Sequence, residues 1–151
     1  ESAPGKLAPH FVAVMNTAGD PEGLVKKGNE RVLRARFNDA RFFWDVDQQR
    51  SLAQRVDDLA KVTFQAKLGS YLEKTKRVVE LVKELGGSPD AQRAALLAKC
   101  DLLSGLVGEF PELQGIMGRY YAMHDGELPS VADAIDSFFA KRMVSSAGRP
   151  K

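Results

Sequence analysis

His124 and Asp125, near the end of the stretch GEFPELQGIMGRYYAMHDGE (108–127), are an adjacent imidazole and carboxylate, the pair with which HD-type helical phosphohydrolases hold metal. Such a site needs several histidines and aspartates drawn from different helices. The sequence has two histidines, His10 and His124, and His10 precedes a segment that reads as a strand. His124 lies four residues after Tyr120 and seven after Met117, so it continues an apolar helical stripe that Asp125-Gly126 then ends. The residues therefore describe a partly buried histidine at a helix C-terminus, where exposed carbonyls favour a cation.

Other reactive arrangements are missing from the sequence. It has no phosphate-binding glycine loop, no CxxC pair and no nucleophile with a base beside it, so no catalytic and no metal-ligating residue is assigned. The single cysteine, Cys100, sits in the apolar run AALLAKC; it excludes an internal disulfide and reads as an inert buried thiol in a reducing compartment. With 22 Lys plus Arg against 20 Asp plus Glu, the net charge of +2 gives no polyelectrolyte character, and a nucleic-acid surface has to come from local clustering. Arg31, Arg34 and Arg41 form such a cluster with Asn38, at helical spacing and opposite an apolar face of Leu33, Phe37, Ala40 and Trp44. Glu30 can pair with Arg34 at i,i+4. Lys74, Lys76 and Arg77 form a second cluster, diluted by Glu73, Glu80 and Glu84. Gly115, Gly118 and Ala122 make a small-residue face beside Arg119 and two tyrosines, against which either a helix or a nucleic-acid backbone can lie.

The elements that must position these residues are mainly helical. HFVAVMNT (10–17) reads as a short strand closed by AGDPEG. A helix follows through Trp44, then a long one from Leu52 to Leu85, interrupted only at Gly69 and stopped by Gly86-Gly87. Ser88-Pro89 caps and opens a third helix running through Val107. Pro111 opens a fourth, and Ser130 with Asp133 resembles a capping box for a fifth. At 151 residues and 44% hydrophobic, the chain fits one helical bundle of about five helices after an N-terminal strand segment. No apolar run approaches the roughly 18 residues of a membrane span, and no signal peptide is recognisable, which points to a cytoplasmic protein without membrane partners.

Three stretches resemble the β subunit of the bacterial-type heterotetrameric glycyl-tRNA synthetase: GNERVLRARFNDARFFWDVD (28–47), FQAKLGSYLEKTKRV (64–78) and AALLAKCDLLSGLVGEFPELQGIMGRYYAMHDGE (94–127). The resemblance implies an internal piece of a longer subunit. Residues 1–22 would end an upstream α/β domain, and residues 23–151 would belong to a degenerate HD-like helical domain, incomplete at its C-terminus. In that family the α subunit forms glycyl-adenylate with ATP and Mg²⁺, while the β subunit positions tRNA. The implied partners are the α subunit, tRNA(Gly) and the remainder of the β subunit, with no cofactor held here. The expected role is a non-catalytic tRNA-positioning part of glycine–tRNA ligase, with Arg31, Arg34, Arg41, Lys74, Lys76 and Arg119 as candidate tRNA contacts. Lys74 stands where an HD enzyme has a histidine, and Ala98-Lys99 or Cys100-Asp101 where it has its HD dipeptide, so that Asp101 is the one acid that could survive, expected now as a helix-packing or hydrogen-bonding residue. The competing expectations are a metal-dependent HD-superfamily phosphohydrolase and a purely structural connector.

Overall fold

The computed structural model describes residues 8–147, with side chains through Phe139. Among them are helices α1 (Leu24–Asp47), α2 (Leu52–Arg55), α3 (Tyr71–Glu84), α4 (Pro89–Leu97), α5 (Gly105–Glu109), α6 (Ile116–His124) and α7 (Pro129–Ala147). A two-stranded antiparallel sheet pairs β1 (Thr63–Gln65) with β2 (Gly69–Ser70). The fold is mainly α, as the periodicity requires. No described helix is long and apolar enough to cross a membrane. The chain divides into two compact units, Glu1–Asp39 and Ala40–Lys151.

In the first unit, Asp20 starts α1: its carboxylate accepts from the Val25 and Lys26 amides at 3.1 and 2.9 Å. Those bonds, the Lys26 amide foremost, hold its carboxyl below the usual carboxylate range. Gly23, at φ +68°, makes the turn that precedes the helix. Residues 10–17 are not a strand: Val12 and Val14 stand 93% and 98% exposed, and no described residue pairs with this segment. A strand persists only where a neighbour takes its amides and carbonyls. The β-structure lies instead at 63–70.

The second unit is built on a core of Leu52, Leu59, Leu97, Leu106, Met117, Tyr121, Val131 and Ile135, with small residues between them. Helix α7 packs against both α6 and α4, and α3 packs on α4. Three expected long helices are broken. The 52–85 helix becomes α2, a 3₁₀ turn at Asp57–Lys61, the hairpin and α3, because Val62-Thr63 favours extended backbone and Gly69 adopts φ +84°. The 89–107 helix stops at Leu97, and Ser104 caps a separate α5 by accepting from the Val107 amide at 3.2 Å. Pro111 opens only a 3₁₀ turn, and α6 begins after Gly115, at φ +89°.

The caps follow the expected chemistry at Ser88, whose Oγ accepts from the Ala91 amide at 3.2 Å with Pro89 next to it. Gly86 and Gly126 end α3 and α6 at positive φ. At α6 the Glu127 amide reaches back to the Ala122 carbonyl at 3.0 Å and the Gly126 amide to Met123 at 3.2 Å, a Schellman closure. Full capping boxes form at Ser51/Gln54 and Ser70/Glu73. None forms at Ser130/Asp133: α7 starts at Pro129, the Ser130 hydroxyl donates to Asp90, and Asp133 pairs with Arg119.

Candidate functional site

The His124-Asp125 pair is divided between surface and structure. His124 is the last residue of α6 and is exposed, with Nδ1 3.7 Å from Asp125 Oδ1. The other oxygen of Asp125 accepts from the Leu52 amide at 2.7 Å, tying the start of α2 to the end of α6. His10 stands in the other unit, exposed in a recess with Asp20 and Lys26. Among the described residues, no three His, Cys, Asp or Glu side chains converge as a metal would require.

Asp101 is fully buried. Its Oδ2 accepts from the Gly115 and Gly118 amides, at 2.6 and 3.1 Å, so a carboxylate reached from a 3₁₀ turn (Cys100–Leu103) starts a helix whose own N-cap is glycine. Its Oδ1 has no hydrogen-bond partner among the described residues. Burial pushes its carboxyl up to about 6, against the opposing pull of the Gly115 amide and the Lys99 charge. The neighbouring Cys100 thiol is pushed up to about 12 by burial, which makes it inert as a nucleophile.

A second buried polar centre was not identified from the sequence. Asp47, at the end of α1, accepts from the Gly105 and Leu106 amides at 2.8 and 2.9 Å, and so caps α5 across the fold. The same carboxylate accepts from the Tyr121 hydroxyl at 2.9 Å. Arg55 lies 3.5 Å from it and donates to the carbonyls of Asp47, Leu103 and Arg50 at 2.8, 2.8 and 3.3 Å. Burial, and then the bond to Asp47, raises the Tyr121 hydroxyl above the ordinary tyrosine value. The signal lay in spacing: Asp47 sits three residues after Trp44 and seven after Ala40, an acid in line with an apolar stripe. This arrangement is a fixed structural clamp, with every strong acceptor and donor already engaged.

The cations behave differently from one another. Arg31, Arg34 and Arg41 are all exposed on α1, and none forms an ion pair with a described residue. Glu30 pairs with Lys26 rather than with Arg34. Arg31 and Arg34 share a shallow depression with Lys27, Glu30 and Asn38, three cations to one anion. On α3, Lys76 is exposed, while the Lys74 ammonium sits 3.8 Å from the Phe64 ring centroid. Arg119 is engaged with Asp133 at 2.7 Å. The small face of α6 is occupied: a Cβ on Gly118 would lie 2.8 Å from Ile135, and one on Gly115 would strike the Phe139 ring. A helix, α7, packs there. Tyr121 belongs to the core, and Tyr120 is half exposed.

The sequence model of the family described as "Glycyl-tRNA synthetase beta subunit" matches residues 1–148. Similar curated proteins are each named glycine–tRNA ligase beta subunit: that of Geobacter sp. (strain M21) is 54% identical over 137 residues, covering 87% of this chain and 20% of the relative. That of Phenylobacterium zucineum is 51% identical over 148 residues (92% and 22%), and that of Myxococcus xanthus 50% over 150 residues (95% and 21%). The chain thus spans about a fifth of the length of the curated relatives it matches.

Proposed function

Since the chain belongs to the glycyl-tRNA synthetase beta subunit family, we propose that it serves glycyl-tRNA synthesis as a non-catalytic module that holds tRNA through its phosphates, in the cytoplasm. The observation that carries this reading is the unpaired state of Arg31, Arg34 and Arg41, whose guanidinium groups are exposed and meet no described acid. Guanidinium forks suit phosphate oxygens and gain by releasing the RNA's counterions. Lys76 is the next candidate, being exposed. Lys74 and Arg119 are already held by Phe64 and Asp133, and they contribute only by giving up those partners. On this reading, ATP and Mg²⁺ chemistry belongs to the α subunit.

The test is binding of glycine tRNA and an unrelated tRNA at about 50 and 200 mM salt, by the native chain and by the Arg31→Ala, Arg34→Ala, Arg41→Ala triple variant. Binding should fall by roughly 0.7 to 0.9 log units per phosphate contact for each log unit of salt. The triple variant should lose most of it. Equal binding by the two chains overturns the assignment of the contact to α1.

A second reading, a connector between parts of the synthetase, is favoured by the exposed apolar side chains of α1, including Leu24, Val32 and Phe37 at 63 to 65% exposure. It predicts no RNA binding at either salt and a gain of stability when the remainder of the β subunit or the α subunit is added.

A further inference from the structure

Among the described residues, the Asp101 carboxyl carries the one buried side-chain oxygen without a hydrogen-bond partner. A carboxylate at the first amides of a helix is ordinarily a stable arrangement, and Oδ2 has it with Gly115 and Gly118. Oδ1 of the same group, completely removed from water, meets no donor among the described residues. A buried oxygen carrying half a charge and no hydrogen bond is costly, and a proton on that oxygen removes the charge while leaving Oδ2 as an acceptor for both amides.

We propose that Asp101 is a proton-binding latch for α6: one proton from solvent adds to Oδ1, Oδ2 keeps the Gly115 and Gly118 amides, and the docking of α6 onto the Cys100–Leu103 turn is thereby coupled to proton uptake. The Leu102 amide, on the same turn, joins the Gly115 and Gly118 amides in favouring the ionised form. Lys99, preceding the turn, favours the ionised form. Cys100 stays a neutral thiol. α6 presents two glycines, and α7 presents Ile135 against the same Gly118. Arg119 on α6 and Asp133 on α7 neutralise each other on the exposed side. Burial outweighs the favourable amides, so the folded carboxyl titrates near 6 rather than at its ordinary 3.8. The sign follows: the folded chain holds this proton roughly a hundredfold more tightly than the unfolded chain, so the stability it contributes is fully present below about 4 and lost as pH rises through about 6. The latch is therefore weakest at neutral pH and tightens in mild acid.

The experiment follows the Asp101 carboxyl carbon and the Gly115 and Gly118 amides of the native chain by NMR from pH 4 to 8, and compares thermal unfolding of the native chain and Asp101→Asn over the same range. The expected result is a carboxyl midpoint near 6 that both amides track. With it, the native chain should lose stability relative to Asp101→Asn as pH rises from 5 to 7. A carboxyl midpoint at or below about 4, or amides that ignore the titration, overturns the proposal. The NMR arm decides the matter even if Asp101→Asn fails to fold.

Discussion

Trp44 and Tyr121 stack with ring centroids 5.5 Å apart and planes 17° from parallel, and the stack aims the Tyr121 hydroxyl at Asp47, one helical turn beyond Trp44. The end of α1, the start of α5 and the middle of α6 thus meet at one carboxylate. Arg55 supplies the compensating charge there.

This clamp should be costly to break from either side. Asp47→Ala leaves Arg55 buried without its acid, and Arg55→Met leaves Asp47 buried without its base; each should lower stability by about 3–5 kcal/mol in urea unfolding. Tyr121→Phe should cost only about 1 kcal/mol, because Asp47 keeps its two amide donors. A loss below about 1 kcal/mol in both charge variants would show the pair to be dispensable.

Gly118 is required by contact rather than by its backbone angle. Gly118→Ala places a methyl carbon 2.8 Å from Ile135 and 3.1 Å from the Asp101 carboxylate. It should destabilise by about 1–3 kcal/mol through overpacking. Gly108→Ala, with nothing within 4 Å, is the matched control and should be near neutral. Equal melting temperatures for the two variants would contradict the close packing of α6 on α7.

Cys100 should resist thiol reagents. With its thiol pushed up to about 12, thiolate at pH 8 amounts to roughly one part in 10,000, and the side chain is fully buried. Labelling should follow global unfolding, rising with urea along the same curve as circular dichroism. Rapid labelling in buffer alone would place Cys100 in a locally opening segment.

His124→Ala should change stability by less than about 0.5 kcal/mol, since the ring is exposed and lies beyond hydrogen-bonding distance of Asp125. Asp125→Ala, by contrast, removes the acceptor of the Leu52 amide and should cost about 1–2 kcal/mol. If the two losses are the same size, His124 and Asp125 act as a unit after all.

Local signals in the sequence were sufficient for part of this structure. Ser88-Pro89, Gly86 and Gly126 determine helix ends by interactions within a few residues, and the 3.6-residue period determines a mainly helical chain. The exposure of the basic residues of α1 was legible because a guanidinium stays in water unless an acid takes it inside; the burial of the apolar stripe opposite was not, since Phe37 of that stripe stands 65% exposed. Helical spacing across 52–85 was misleading: Phe64 keeps the period by count, yet β-branched backbone and Gly69 turn it onto Tyr71 as a hairpin. The tertiary structure alone decided what Asp47 and Asp101 do. Each caps a helix distant in sequence, Asp47 through Gly105 and Leu106, Asp101 through Gly115 and Gly118. A carboxylate's partners at such separation are set by how the helices pack, and no local pattern in the chain records them.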